Sequence, residues 1–349
     1  MEQLKERNHY VDFLRGLATF GVIVIHTSFW SGQLYTPPWF WNITLFLDVP
    51  FFFYLSGWAS GFRTSDIRKT GRSILGIWLK WIFFATLLAV FTNISTYLPW
   101  TFQGLKSVRE LVQNYMFNIT FPGFPVVEGS LWFLPIYFVV ILGNTAVMVL
   151  LQKSNRFEAH KHTYMWLLLG CFIWTSFGKS IIGLDLVTFC FFGFFWMMGM
   201  NHVGKVRDWK RLLLVLVLAV AGICFFSYVQ ELKLSDIQSA KMPPTMKYLF
   251  VSLPIIFVTK MYEPYYRGVL KWFEHVGRNA IFYFFAQGVG ASLCYLLINK
   301  LHMGWPLKWC IVLLFNLIVS TIIAETVAIL YHWVSKCMKS LWEKVLYVF

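Results

Sequence analysis

Apolar runs long enough to cross the ~30 Å hydrocarbon core of a bilayer recur along the whole chain. They fall at about 11–30, 41–61, 74–95, 130–151, 164–181, 185–201, 212–230, 246–262, 277–298 and 308–331. Short polar stretches separate them except for the longer one at 96–129, and the link around Lys179 and Asp185 between the fifth and sixth is the shortest. The pattern predicts an all-α polytopic membrane protein of about ten transmembrane helices. Residues 1–349 read as a single transmembrane domain with no soluble domain, internal repeat, low-complexity tract or long linker. The first run opens with Asp12 and Arg15 and has no small-residue cleavage site, so it reads as a retained helix rather than a cleaved signal.

Composition agrees with the pattern. Hydrophobic residues make up 58% and charged ones 13% of the chain, against about 25% charged in soluble domains. Its 17 Trp and 16 Tyr suit interfacial belts. A formal charge of +14 would suit nucleic acid, but the basic residues sit in short clusters between apolar runs, as membrane orientation requires. Nucleic acid is therefore not an expected partner; the lipid bilayer is. With the N-terminus inside, twenty of the thirty Lys and Arg fall on the cytoplasmic side and seven outside, so both termini are expected to be cytoplasmic. The six cysteines show no metal spacing and read as small apolar residues, with no disulfide framework and no metal. Asn-x-Ser/Thr triplets at Asn42, Asn93 and Asn118 arise readily by chance.

Within the first run, Arg15 and His26 are the costly residues. An Arg at the helix centre costs roughly 2.5–3.5 kcal/mol on insertion scales. Eleven residues separate the pair. That is about three helical turns, which places both on one face ~16 Å apart along the axis. Histidine, with an unperturbed pKa of ~6.5, suits a general base that takes the proton from an alcohol at neutral pH. Arg15 and the basic loop with Arg63, Arg68 and Arg72 suit a phosphate-bearing donor at the inner face, because guanidinium groups hold phosphates in bidentate fashion. Other readings stand beside these. His26 is also read as a structural histidine bonded to a neighbouring helix. Arg15 is also read as snorkelling to the interface, or as pairing with Asp12 one turn earlier.

Asp12-Phe-Leu-Arg-Gly-Leu17 followed by His26 resembles the membrane acyltransferase family 3, the bacterial O-acetyltransferases of surface glycans. The stretch Asp48-Val-Pro-Phe-Phe-Phe-Tyr-Leu-Ser-Gly57 resembles the family's second-helix segment. Ser130-Leu-Trp-Phe-Leu134, Pro243-Pro-Thr-Met-Lys-Tyr248 and Val276-Gly-Arg-Asn-Ala-Ile-Phe-Tyr283 continue the match in order along nearly the whole chain. The resemblance implies transfer of an acetyl group from cytoplasmic acetyl-CoA to a carbohydrate hydroxyl, in a bacterial plasma membrane. The family's essential His and Arg map onto His26 and Arg15, and its basic pair maps partly onto Arg68 and Arg72. One departure is Gln287, where many members carry a His.

Further polar residues have two readings each. Asp48 would orient His26, or else line an outer cavity beside Pro50. Glu325, inside the last apolar run, is a functional acid or a partner for a buried cation such as Lys80. His275, Asn279, Tyr283 and Gln287 would form one polar stripe on the ninth helix, facing a cavity or a neighbour. Gly16 and Ser56-Gly57 read as sites of close helix packing. Glu128 and Trp132, at the end of the long outer loop 96–129 and just beyond it, are candidate acceptor-binding residues; solvated-loop and belt roles are the alternatives. The function expected is an integral membrane O-acetyltransferase, either modifying the glycan itself or working with separate glycan-assembly proteins. The alternative is a proton-coupled transporter or exporter, for which the sequence lacks the internal symmetry.

Overall fold

The computed structural model describes residues 8–95, 107–118, 121, 123–177, 184–202, 209–233 and 236–346. The link around Lys179, and the basic residues Lys5, Arg7, Lys106, Lys205 and Arg207, lie outside the described residues. Every described element is helical: α1 (His9–His26), α2 (Pro38–Ile43), α3 (Val49–Gly61), α4 (Ile67–Ser95), α5 (Val108–Tyr115), α6 (Pro125–Ser130) and α7 (Phe133–Leu151). Then follow α8 (Phe157–Phe177), α9 (Leu184–Met200), α10 (Trp209–Val229), α11 (Met246–Tyr262), α12 (Lys271–Arg278), α13 (Ala280–Ile298) and α14 (Trp305–Leu346), with a few short 3₁₀ turns and one π turn.

All ten apolar runs contain a helix, but among the described residues fewer than ten are long and apolar enough to span. Seven segments qualify by length and composition: His9–Leu34, Pro38–Gly61, Ile67–Ile94, Pro125–Leu151, Trp209–Val229, Ala280–Ile298 and Trp305–Ser340. The described parts of the runs at 164–181, 185–201 and 246–262 do not. Helices α9 and α11 have 17 residues each, or ~26 Å at 1.5 Å per residue. Helix α8 begins with the polar stretch Phe157-Glu-Ala-His-Lys-His-Thr163.

The packing divides the chain into two compact units, residues 1–72 with 133–278, and residues 73–132 with 279–349. In the first unit, α1 starts where Asn8 accepts a hydrogen bond from Val11 N at 3.2 Å, with Asp12 in the first turn. Two helix crossings are reciprocal glycine contacts. A Cβ on Gly16 would overlap the carbonyl of Phe273, and one on Gly277 would overlap that of Asp12. Likewise Gly57 lies on the Trp196 carbonyl and Gly199 on that of Tyr54. Lipid tails are as apolar as leucine, so helices associate through such close backbone approach rather than hydrophobic drive. These contacts fix α1 on α12 and α3 on α9. Glu274 ties α12 further to α1 by accepting from His9 at 2.9 Å and from Tyr266 at 2.6 Å. Burial pushes its carboxyl up, but those bonds and the Lys271 charge outweigh it and hold the pKa below the ordinary value.

In the second unit, the expected outer loop instead returns along α4. Trp78 Nε1 donates to Tyr115 O and Trp81 Nε1 to Asn114 O, both at 2.8 Å. Those tryptophans lie about 25 and 21 Å before Ser95, the end of α4. Helix α6 packs Val127 on Gly288, midway along α13, and Ser292 Oγ accepts from Val126 N at 3.1 Å. Non-helical backbone at such depth survives where protein satisfies its polar groups, as these bonds do.

Candidate active site

Helix α1 runs unbroken from Arg15 to His26, its last residue. A five-residue π turn, Thr27–Ser31, follows at once. Thr27, Ser28 and Ser31 are buried and donate to carbonyls four residues back, at 2.7, 2.8 and 3.3 Å. Such hydroxyls loosen the regular ladder, and widened turns of this kind recur at functional sites. His26 is half-buried at the junction.

The segment from α2 to α3 runs antiparallel to α1. Tyr10 meets Trp58, Gly21 meets Leu47, and Phe29 meets Trp41. In that register Asp48 is level with Phe20 and Gly21, about 8 Å along the axis short of His26. Its carboxylate is taken up elsewhere. Lys241 Nζ lies 2.8 and 3.0 Å from its two oxygens, and Tyr248 Oη donates to it at 2.7 Å. All three side chains are buried. The orienting contact expected between Asp48 and His26 is thus replaced by an ion pair to the α10–α11 connection. Asn42 accepts from Ile237 N at 2.8 Å, and the buried Lys247 donates to the carbonyls of Lys233 and Asp236, both at 2.7 Å. Segments 38–48 and 233–248 are therefore stitched together beside the π turn.

Nearer the Tyr10 end, Arg15 is 34% exposed, and its Nη1 lies 3.8 Å from the buried Asp12 carboxylate. The pairing with Asp12 one turn earlier is thus present, at the long limit of an ion pair. Tyr137 on α7 donates to Ser56 Oγ on α3 at 3.1 Å, and the Arg15 charge acts on the Tyr137 hydroxyl. Arg63, Arg68 and Arg72 are exposed at the α3–α4 turn. Asp66 caps α4 there by accepting from Arg68 N at 2.8 Å and Lys69 N at 3.2 Å, and those bonds lower its pKa.

Glu128, Trp132, Gln287 and Glu325 belong to the second unit. Glu128 is exposed and accepts from Phe121 N at 2.8 Å, which closes the returning segment. Trp132 is half-buried. Gln287 is buried and donates to Phe284 O at 3.1 Å. Tyr283 donates to Glu325 at 2.7 Å, whereas Lys80 lies 5.4 Å over the Phe282 ring and 6.0 Å over Tyr331. The expected stripe from His275 to Gln287 is broken, because Asn279 leaves the helical region between α12 and α13.

Three groups escaped sequence reasoning: the Lys241–Tyr248 anchor, the Tyr137–Ser56 pair, and a cluster around His202. That ring stacks on Trp58 at 3.7 Å, with Tyr54 Oη 2.6 Å from Nδ1 and Glu263 3.2 Å from Nε2. Tyr248 ends a motif already noted, Pro243 to Tyr248, and Lys241 stands two residues before it. Tyr137 and His202 left no signal beyond being polar at the margin of an apolar run.

No curated protein and no solved structure matches the chain. The family model described as an acyltransferase domain matches residues 8–325, and with them α1, the Asp48 anchor and the Tyr137–Ser56 pair. On that match over nearly its whole length, the chain belongs to membrane acyltransferase family 3.

Proposed function

We propose that this acyltransferase moves an acetyl group from cytoplasmic acetyl-CoA to a hydroxyl of a cell-surface or envelope carbohydrate, with His26 as general base. The observation that carries the reading is the unbroken helix between Arg15 and His26, ended by a π turn at the histidine. Arg15 holds phosphate of the donor toward the inner face. The pantetheine arm extends along α1 over ~16 Å. His26 takes the proton of the acceptor hydroxyl as its oxygen attacks the thioester carbonyl. The carbon–sulfur bond then breaks, and the coenzyme A thiolate takes the proton back from the imidazolium. No proton is gained or lost overall. Arg63, Arg68 and Arg72 attract the donor's phosphates to the inner surface. Asp48 contributes through the anchored outer segment, and Glu128 and Trp132 contact the acceptor. Both termini are cytoplasmic and the membrane is a bacterial plasma membrane in this reading.

The test is His26→Ala in the native host. Surface glycan should lose its acetyl increment by mass spectrometry, while the variant reaches the membrane at wild-type level. Undiminished acetylation in a well-expressed variant would remove the histidine from the mechanism.

A further inference from the structure

We infer that Ser56 and Tyr137 complete, with Arg15, a subsite for the diphosphate of the acyl donor. The inference rests on the acyl-CoA reading above. Three observations within the first unit carry it. Tyr137 Oη donates to Ser56 Oγ at 3.1 Å, which leaves the Ser56 proton uncommitted. A hydroxyl that accepts one bond is polarised toward donating the next. Arg15 is held by Asp12 only at 3.8 Å and is one-third exposed, so its planar fork remains available. The antiparallel register of α1 and α3 sets Ser56 near the level of Arg15, so the pair and the guanidinium sit at one depth of the first unit.

Position favours a diphosphate over any other part of the donor. By the antiparallel register of α1 and α3, Ser56 is level with the first turns of α1, at Asp12 to Arg15. That is the Arg15 end of the ~16 Å path to His26. Phosphoryl oxygens there need donors inside the helix bundle, and a guanidinium with an O–H relay supplies several. Lipid headgroup phosphate shares this chemistry, so the experiment must separate the two sources. A role confined to pinning α7 on α3 would leave ligand affinity unchanged.

The test is equilibrium binding to the purified full chain in lipid nanodiscs, using coenzyme A, dephospho-coenzyme A and pantetheine as probes. Tyr137→Phe and Ser56→Ala should each weaken coenzyme A and dephospho-coenzyme A alike, by about ten- to a hundredfold, the usual yield of one lost hydrogen bond to a charged group. Pantetheine, which has no phosphate, should bind each variant as it binds wild type. Ser56→Thr should restore binding. Arg72→Ala, remote from the pair, should weaken coenzyme A more than its dephospho form. Wild-type affinity in both Tyr137→Phe and Ser56→Ala overturns the subsite. So does equal weakening of pantetheine. Binding that tracks the anionic lipid content of the nanodisc assigns the site to a headgroup and overturns the donor assignment. If wild-type protein binds none of the three probes, the acyl-CoA reading itself falls.

Discussion

Lys241 brings its ammonium to 2.8 Å from Asp48, across 193 residues of sequence, in a place with almost no solvent. Breaking such a pair from one side leaves an uncompensated buried charge. Lys241→Met should therefore cost about 3–5 kcal/mol of stability. Replacing Asp48 as well would strand the Tyr248 hydroxyl, at a further cost of about 1–3 kcal/mol. Asp48→Leu, Lys241→Met and Tyr248→Phe together remove all three of these polar groups at once, and this triple variant should recover most of the loss. Unfolding in mixed micelles, read by tryptophan fluorescence, orders the three proteins. A single variant as stable as the triple would contradict the account.

The glycine crossings give a prediction with an internal control. Gly16→Ala and Gly57→Ala force a methyl into backbone carbonyls of α12 and α9. Backbone cannot swing aside like a flexible side chain, so the helices must separate along the contact. Both variants should lose most of their folded yield. Gly76→Ala, on α4 with nothing within 4 Å of the added methyl, should be neutral or gain up to ~1 kcal/mol from helix propensity. Size-exclusion profiles after detergent extraction distinguish these outcomes. Equal behaviour of Gly16→Ala and Gly76→Ala would rule out the crossing as a determinant of the fold.

Much of this was legible in the sequence because bilayers impose a simple rule: long apolar runs become helices. The packing roles of Gly16 and Gly57 were legible too, since a small residue in such a run has few other uses. The returning segment was not. Hydropathy records how apolar a stretch is, and residues 107–130 are mixed whether they lie outside the membrane or fold back into protein. Contacts distant in sequence locate them: Trp78 and Trp81 with Tyr115 and Asn114, and Val126 and Val127 with α13. The partner of Asp48 was hidden for another reason. Local spacing points to candidates on the same or the next helix, which favours His26 over Lys241. The stripe from His275 to Gln287 failed at Asn279, whose departure from helical geometry no periodicity announces.

His202 makes stability depend on pH. Burial, followed by the Lys260 charge, pushes its pKa down to about 4 from the ordinary 6.5. The neutral ring fits its partners, with Tyr54 donating to Nδ1 and Nε2–H donating to Glu263. Between those two pH values the unfolded chain binds a proton that the folded chain does not. Stability therefore falls as pH drops from about 6.5 toward 4, by a total of order 3 kcal/mol. His202→Gln should flatten that part of the curve. Unfolding midpoints at pH 7 and pH 4.5, for both proteins, provide the measurement; parallel curves would mean the histidine does not titrate as its surroundings dictate.

Glu128 tests whether water reaches the interior of the second unit. It is exposed, yet it belongs to α6, which packs midway along α13, about 12–15 Å from either end of that helix. A carboxylate facing lipid at that depth would be expensive, so the exposed side chain should face a water-filled cavity. Glu128→Cys should then react with a charged, membrane-impermeant maleimide, because thiols react as thiolates and thiolates need water. The background must first lose the exposed native thiols, Cys171, Cys224 and Cys310. An acetyl-CoA-dependent change in labelling rate would place the cavity on the reaction path. If the Glu128→Cys thiol stays unreactive in folded protein, the segment faces hydrocarbon, and Glu128 loses its assignment to the acceptor.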